Sequence, residues 1–170
     1  MPARRILELG DPMLREISRP LDSPAEARLI LRDLRATLAE FRRRHGFGRG
    51  ISAVQIGEPV RLIYIEQGEE ARCLINPEWE WLSPEKFRLW DDCFSFPDLL
   101  VYLERSCRVR LRYQDVTGAV HRLEAEGSLA ELLQHEMDHL EGILAVDRAL
   151  DRMSLATRGE YERRYRTGAR

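Results

Sequence analysis

No run of about 18 apolar residues occurs anywhere in this 170-residue chain, so no transmembrane helix is expected. The opening residues, Met1-Pro2-Ala3-Arg4-Arg5-Ile6-Leu7-Glu8, carry basic groups without a sustained apolar core behind them, and no secretory signal peptide is expected either. An excess of one charge is also lacking. Lys and Arg number 27 against 29 Asp and Glu, a formal net charge of −2, and that balance gives no reason to expect a nucleic-acid surface. Cysteine is scarce: Cys73, Cys93 and Cys107 are an odd number without disulfide-rich spacing. They fit a reducing cytoplasm, and any one of them is available as a metal-binding thiolate. Internal repeats, low-complexity tracts and linkers are missing as well. Residues 1–170 therefore read as a single domain, long enough to remove roughly 70% of its unfolded surface from water.

The periodicity divides the chain into helices and strands. Ala27, Ile30, Leu31, Leu34, Leu38 and Phe41 recur at spacings of three and four, predicting an amphipathic helix over 24–45. Ser23 and Pro24 suit its cap and first position, and Gly46-Phe47-Gly48-Arg49-Gly50 ends it. Residues 61–66 and 72–75 are short, apolar and β-branched, the second leading into a turn-like Asn76-Pro77. From Cys107 to Tyr113 the chain alternates, with Arg108, Arg110 and Arg112 on one face and Val109, Leu111 and Tyr113 on the other. A wet strand face explains those arginines better than an anion site. Thr117-Gly118 then predicts a hairpin turn into 119–124. A last helix is expected from about 153 to 165, with Arg158, Arg163, Arg164 and Arg166 on it; a solvated terminus is the simpler reading, an acidic partner the other.

Histidine is also rare, with four in the chain, and two fall in His135-Glu136-Met137-Asp138-His139. Four residues span about one helical turn, so both imidazoles can reach one divalent metal, with Glu136 beside them to take a proton from water. Ser128-Leu129-Ala130-Glu131 reads as a capping box that starts this helix, and Gly142 as its end. A catalytic metal commonly takes a third protein ligand. A downstream Glu160 or Glu162 is one option and Cys93 the other; spacing alone does not choose.

Gln134-His135-Glu136-Met137-Asp138-His139-Leu140-Glu141-Gly142 resembles the third motif of the peptide deformylases, QHExDHLxG. Gly48-Arg49-Gly50-Ile51-Ser52-Ala53-Val54-Gln55 resembles their first, and Asp91-Asp92-Cys93-Phe94-Ser95 their second, EGCLS. The motifs stand in the family's order, and flanking stretches at Asp11–Arg15, Leu74–Pro77 and Leu144–Arg148 match as well, so the resemblance spans roughly residues 5–150. It implies an α+β fold: small antiparallel β-sheets surrounding a central HExxH-bearing helix, with an N-terminal amphipathic helix and a C-terminal helix. The implied activity is hydrolysis of the N-formyl group of formyl-methionyl peptides of nascent proteins, with release of formate. By the same resemblance Cys93, His135 and His139 hold one divalent metal ion, Fe²⁺ in the first place and Ni²⁺, Co²⁺ or Zn²⁺ in substitution. Glu136 is the general acid–base, and Gln55 with the backbone N–H of Phe94 receives the oxyanion. Gly48 and Gly50 let a peptide approach the backbone. The ribosome is then the acidic partner to consider for the C-terminal helix.

Departures from the family pattern bear on substrate more than on chemistry. Asp91 and Asp92 stand in place of Glu-Gly, Arg49 in place of an apolar residue, Ser52 in place of alanine, and Leu100 where an arginine is common. Glu131 and Leu132 precede His135 by four and three residues, on the face that in the family helps line the pocket for the first side chain. Arg49, Asp92 and Glu131 thus motivate a second reading, the same hydrolytic centre acting on a different N-acyl, small-molecule or peptide-bond substrate. A third, a metal-binding homologue without catalysis, would be expected to lose Glu136 or Gln55, and the chain keeps both.

Overall fold

Ser23 is extended and its hydroxyl accepts the N–H of Ala25; from there α1 (Pro24–His45) runs to Gly46, which turns left-handed at φ 78°. In this computed structural model, which describes residues 3–166, the predicted stripe of α1 is buried from Ala27 to Phe41. It packs on an antiparallel sheet in the order β1-β2-β3-β6-β7: β1 (Gly50–Ser52), β2 (Leu62–Gln67), β3 (Glu70–Leu82), β6 (Arg108–Gln114) and β7 (Val120–Glu126). A smaller sheet, β4-β5-β8, is made by β4 (Lys86–Asp92), β5 (Leu99–Ser106) and β8 (Leu155–Thr157). The motif helix is α2 (Gly127–Leu140), and α3 (Arg158–Arg164) follows β8.

Strand alternation explains where α2 sits. Leu62 and Tyr64 of β2 join the cluster under α1, while Ile63 and Ile65 join the cluster under α2 with Leu133, Met137 and Leu140. Successive side chains point to opposite faces, so a strand apolar at every position is one covered on both. This puts α1 and α2 on opposite faces of the large sheet. On β6, Val109 and Leu111 are buried and the three arginines exposed, as the alternation predicts. Arg110 pairs with Glu124 and Arg112 with Glu78, which makes the arginine face a wet one. No described helix is long and apolar enough to cross a membrane.

Two expectations about elements are corrected. Asn76-Pro77 does not end a strand. β3 continues through it, with a register shift between Ile75 and Glu78. Asn76 takes φ 50°, and its side chain exchanges hydrogen bonds with the backbone of Leu21 at 2.8 and 2.9 Å. The Asn-Pro pair is the bulge itself, where a left-handed asparagine and a residue without an N–H are both tolerated. The last helix is also shorter than 153–165. Leu155–Thr157 instead adds an edge strand to β5, and Thr157 caps α3.

Candidate active site

Every residue of α2 from Ala130 to Leu140 is buried, although six of them are polar or ionisable. Buried polar groups need partners, and here the partners organise the site. The ligand atoms of Cys93, His135 and His139 lie within 4.8 Å of one another. Cys93 Sγ is 3.3 Å from His139 Nε2. His135 turns Nδ1 toward both oxygens of Asp91, each 3.0 Å away, which leaves Nε2 for the cluster. Neither Glu160 nor Glu162 joins this group, whose third member is Cys93.

The electrostatics suit a bound cation. Burial holds His139 well below its ordinary pKa, helped by the neighbouring His135, so it stays neutral as a ligand must. For His135, burial opposes charge, but Asp91 and Cys93 outweigh it and call for positive charge at that point. Asp91 is itself ionised: burial pushes its carboxyl up, yet His135 and Arg105 draw it down to about 2. A cysteine sulfur and two imidazoles, one fixed by a carboxylate behind it, make a donor set suited to a divalent transition metal.

Behind the cluster lies a chain of charges. Buried Arg105 donates to Asp91 at 3.0 Å and also to Asp138. Asp138 in turn receives two bonds from Arg148, both 2.6 Å. Neither Asp91 nor Arg105 belongs to the sites that the motifs point to. One signal was available: Val101, Leu103 and Arg105 occupy the same phase of β5, so an arginine falls where the alternation asks for an apolar residue.

In front of the cluster stand Glu136 and Gln55. The Ser52 hydroxyl donates to Glu136 Oε2 at 2.6 Å, giving that departure from alanine a purpose. Burial pushes the Glu136 carboxyl up to about 7, against the pull of His135 and Ser52. A Cβ on Gly50 would stand 2.9 Å from Glu136 Oε1 and 3.0 Å from Leu132, so a side chain there would displace the glutamate. At Gly48, φ is 130° and a Cβ would meet the Phe94 ring at 2.6 Å. The Gln55 amide is oriented by its neighbours: its oxygen accepts the Ser52 N–H at 3.0 Å. Its nitrogen therefore points to Ser95 Oγ and Cys93 Sγ, at 3.3 and 3.7 Å. Phe94 stacks on Phe41 with ring centroids 3.9 Å apart.

One cleft of 380 Å³ gathers Gly48, Arg49, Gly50, Gln55, Asp92, Cys93, Phe94, Glu131, Leu132, His135 and Glu136. His139 lies behind it, and Leu100 is buried in β5, outside the lining. Arg42 and Phe47 also line the cleft and were not anticipated. The negative charge of Asp92 is answered by Arg158 at 2.7 Å, whose guanidinium also lies 4.3 Å over the Phe47 ring.

The expected capping box is absent. Gly127 and Glu126 start α2 without a side-chain cap, and Glu131 is buried in the cleft wall. Arg49 reaches across to both residues, donating to Glu131 Oε2 at 2.5 Å and to the Ser128 carbonyl at 2.9 Å. An arginine 82 residues away in sequence has taken the carboxylate that a local cap would have used.

The chain is similar to known proteins over most of its length. The family described as Polypeptide deformylase matches residues 3–154. The chain is 39% identical to the peptide deformylase of Bartonella tribocorum over 154 residues, covering 86% of this chain and 84% of that protein. It is 38% identical to that of Thermotoga neapolitana, covering 85% of each. Among solved structures, the peptide deformylase of Synechococcus elongatus in complex with actinonin superposes with a TM-score of 0.83 at 33% identity, covering 90% of this chain and 82% of that one. The Thermotoga maritima enzyme gives 0.81 at 32%, covering 89% and 100%. With its motifs folded into one cleft and its relatives matched over most of their length, the chain belongs to the peptide deformylase family.

Proposed function

We propose that this chain hydrolyses the N-formyl group of peptides, the formyl-methionyl ends of nascent proteins among them, at a divalent metal held by Cys93, His135 and His139. The carrying observation is that Cys93 and His135 of this cluster meet Glu136 and the Gln55 amide in the same cleft, with His139 beside them. Bound there, a divalent metal supplies Lewis acidity to the carbonyl and to water. Fe²⁺ is the proposed physiological ion, and Ni²⁺, Co²⁺ and Zn²⁺ are proposed substitutes, since two imidazoles and a thiolate accept all four.

The chain's own groups supply the rest. Ser52 occupies Glu136 Oε2, and Oε1 is left to receive the proton of the attacking water. Glu136 then returns that proton to the departing amine as the C–N bond breaks, leaving formate and a free N-terminus. Such acid–base help is typically worth about 10²–10⁴ in rate. The Gln55 Nε2–H and the Phe94 N–H donate to the oxygen as it gains negative charge. Losing one such donor typically costs about 3–4 kcal/mol.

Formate release from formyl-Met-Ala-Ser by nickel-loaded protein tests the reading, with Glu136→Gln alongside. Release that depends on Glu136 is expected. Equal release by the variant, or none from any formyl peptide with metal bound, would contradict it.

A further inference from the structure

The wall of the cleft one helical turn before His135 is ionic. Residues four apart share a helix face, so Glu131 and His135 are neighbours, and a Glu131 oxygen lies within 4.8 Å of a ring nitrogen of His135 and of a carboxylate oxygen of Asp91. A formyl carbonyl brought to the cluster sits one amide bond from the first residue of the peptide. Gly50, Leu132 and Glu131 line the cleft beside the cluster, and we place that residue's side chain against them. Arg49 holds Glu131 Oε2, and no partner for Oε1 is found among the described residues. The two members of the pair differ in exposure: the Glu131 side chain is 8% exposed and that of Arg49 44%.

We propose that Glu131, with Arg49 as its movable partner, selects substrates whose first side chain carries positive charge and hydrogen-bond donors, that of lysine or another basic residue, over the thioether of methionine. The inference rests on the deformylase reading above and names the substrate class of the same site. A carboxylate oxygen that faces the cleft with no protein partner can take a donor from the substrate, and a thioether offers none. A basic side chain also keeps an apolar stem to lay along Leu132 and Gly50 while its head meets Glu131 or displaces Arg49. An acidic side chain would face Glu131, Glu136 and Asp91 together. The other cation lining the cleft, Arg42, is engaged with Glu66 and the Gly48 carbonyl, and Arg158 answers Asp92. Sites built to hydrogen-bond a group discriminate strongly against analogues that lack it.

Norleucine matches methionine in length and lacks only lysine's ammonium, so the pair isolates the charge. With nickel-loaded protein, kcat/KM for formyl-Lys-Ala-Ser should exceed that for formyl-norleucyl-Ala-Ser by at least about tenfold. Glu131→Leu should invert the order, and Glu131→Gln, which keeps the shape if the leucine variant fails to fold, should remove most of the preference. Titration calorimetry with the products Lys-Ala-Ser and norleucyl-Ala-Ser should rank them the same way without turnover. Release from all formyl peptides with norleucine equal to or above lysine, unchanged in the Glu131 variants, would overturn the pocket assignment alone. Release from none of them would overturn the deformylase reading and this inference with it.

Discussion

Behind α2, Asp91 and Asp138 share the buried guanidinium of Arg105, and Arg148 closes the chain at the surface. In front of it, Glu136 has one hydroxyl partner and Glu131 one half-exposed arginine. Both sides bury carboxylates, but only the back pairs each with more than one donor. Burial without full pairing raises a carboxyl's pKa, as it does for Glu136 and Glu131, whereas full pairing holds Asp91 down at about 2. The back of the helix therefore orients a ligand, and the front keeps groups free to exchange protons and contact substrate.

The contrast predicts different losses on the two sides. The largest is in front: Glu136→Gln should lower kcat by about 10²–10⁴ while leaving the bound metal in place, read by formate release and metal analysis. Behind the helix, Arg105→Met strands two carboxylates in the interior and should cost about 3–5 kcal/mol in urea unfolding. Full stability in that variant would break the comparison. Gln55→Ala should lower kcat by the equivalent of about 3–4 kcal/mol, with little effect on metal affinity.

Glu136 also sharpens the comparison through pH. Its carboxyl, ordinarily near 4.5, is raised to about 7 in the folded metal-free protein. The folded state thus keeps a proton that the unfolded state releases. Its contribution is fully present below about 4.5 and is lost as pH rises through about 7. Metal-free protein should lose roughly 2–3 kcal/mol relative to Glu136→Gln over that window, measured by urea unfolding at pH 4.5 and 8. The smallest effect belongs to the solvated sheet: Arg112→Ala, breaking an exposed pair with Glu78, should cost under about 1 kcal/mol.

The parts legible in the sequence were those written in local spacing. The stripe of α1, its Ser23 cap, the alternation of β6 and the pairing of His135 with His139 each depend on residues within a few turns or one strand. What was misread depends on distant residues. Glu131 looked like half of a capping box because Ser128 is three residues before it, and only the fold brings Arg49 to claim it. Asn76-Pro77 has turn chemistry, which here serves a bulge because Leu21 arrives to bond the asparagine. Arg105 sits in an ordinary-looking Glu-Arg-Ser, and its burial follows from Asp91 and Asp138 converging on it from β4 and α2. Cys93 could not be chosen over Glu160 from spacing, because ligand choice is a matter of three-dimensional approach.

The most direct test of the centre loads wild type and Glu136→Gln with Co²⁺ and reads the near-ultraviolet thiolate-to-metal absorption together with formate release. One equivalent of cobalt and a thiolate band are expected in both proteins, the band abolished by Cys93→Ala, with turnover only in the wild type. A cobalt site without thiolate absorption, or turnover that survives Glu136→Gln, would contradict this reading of the centre.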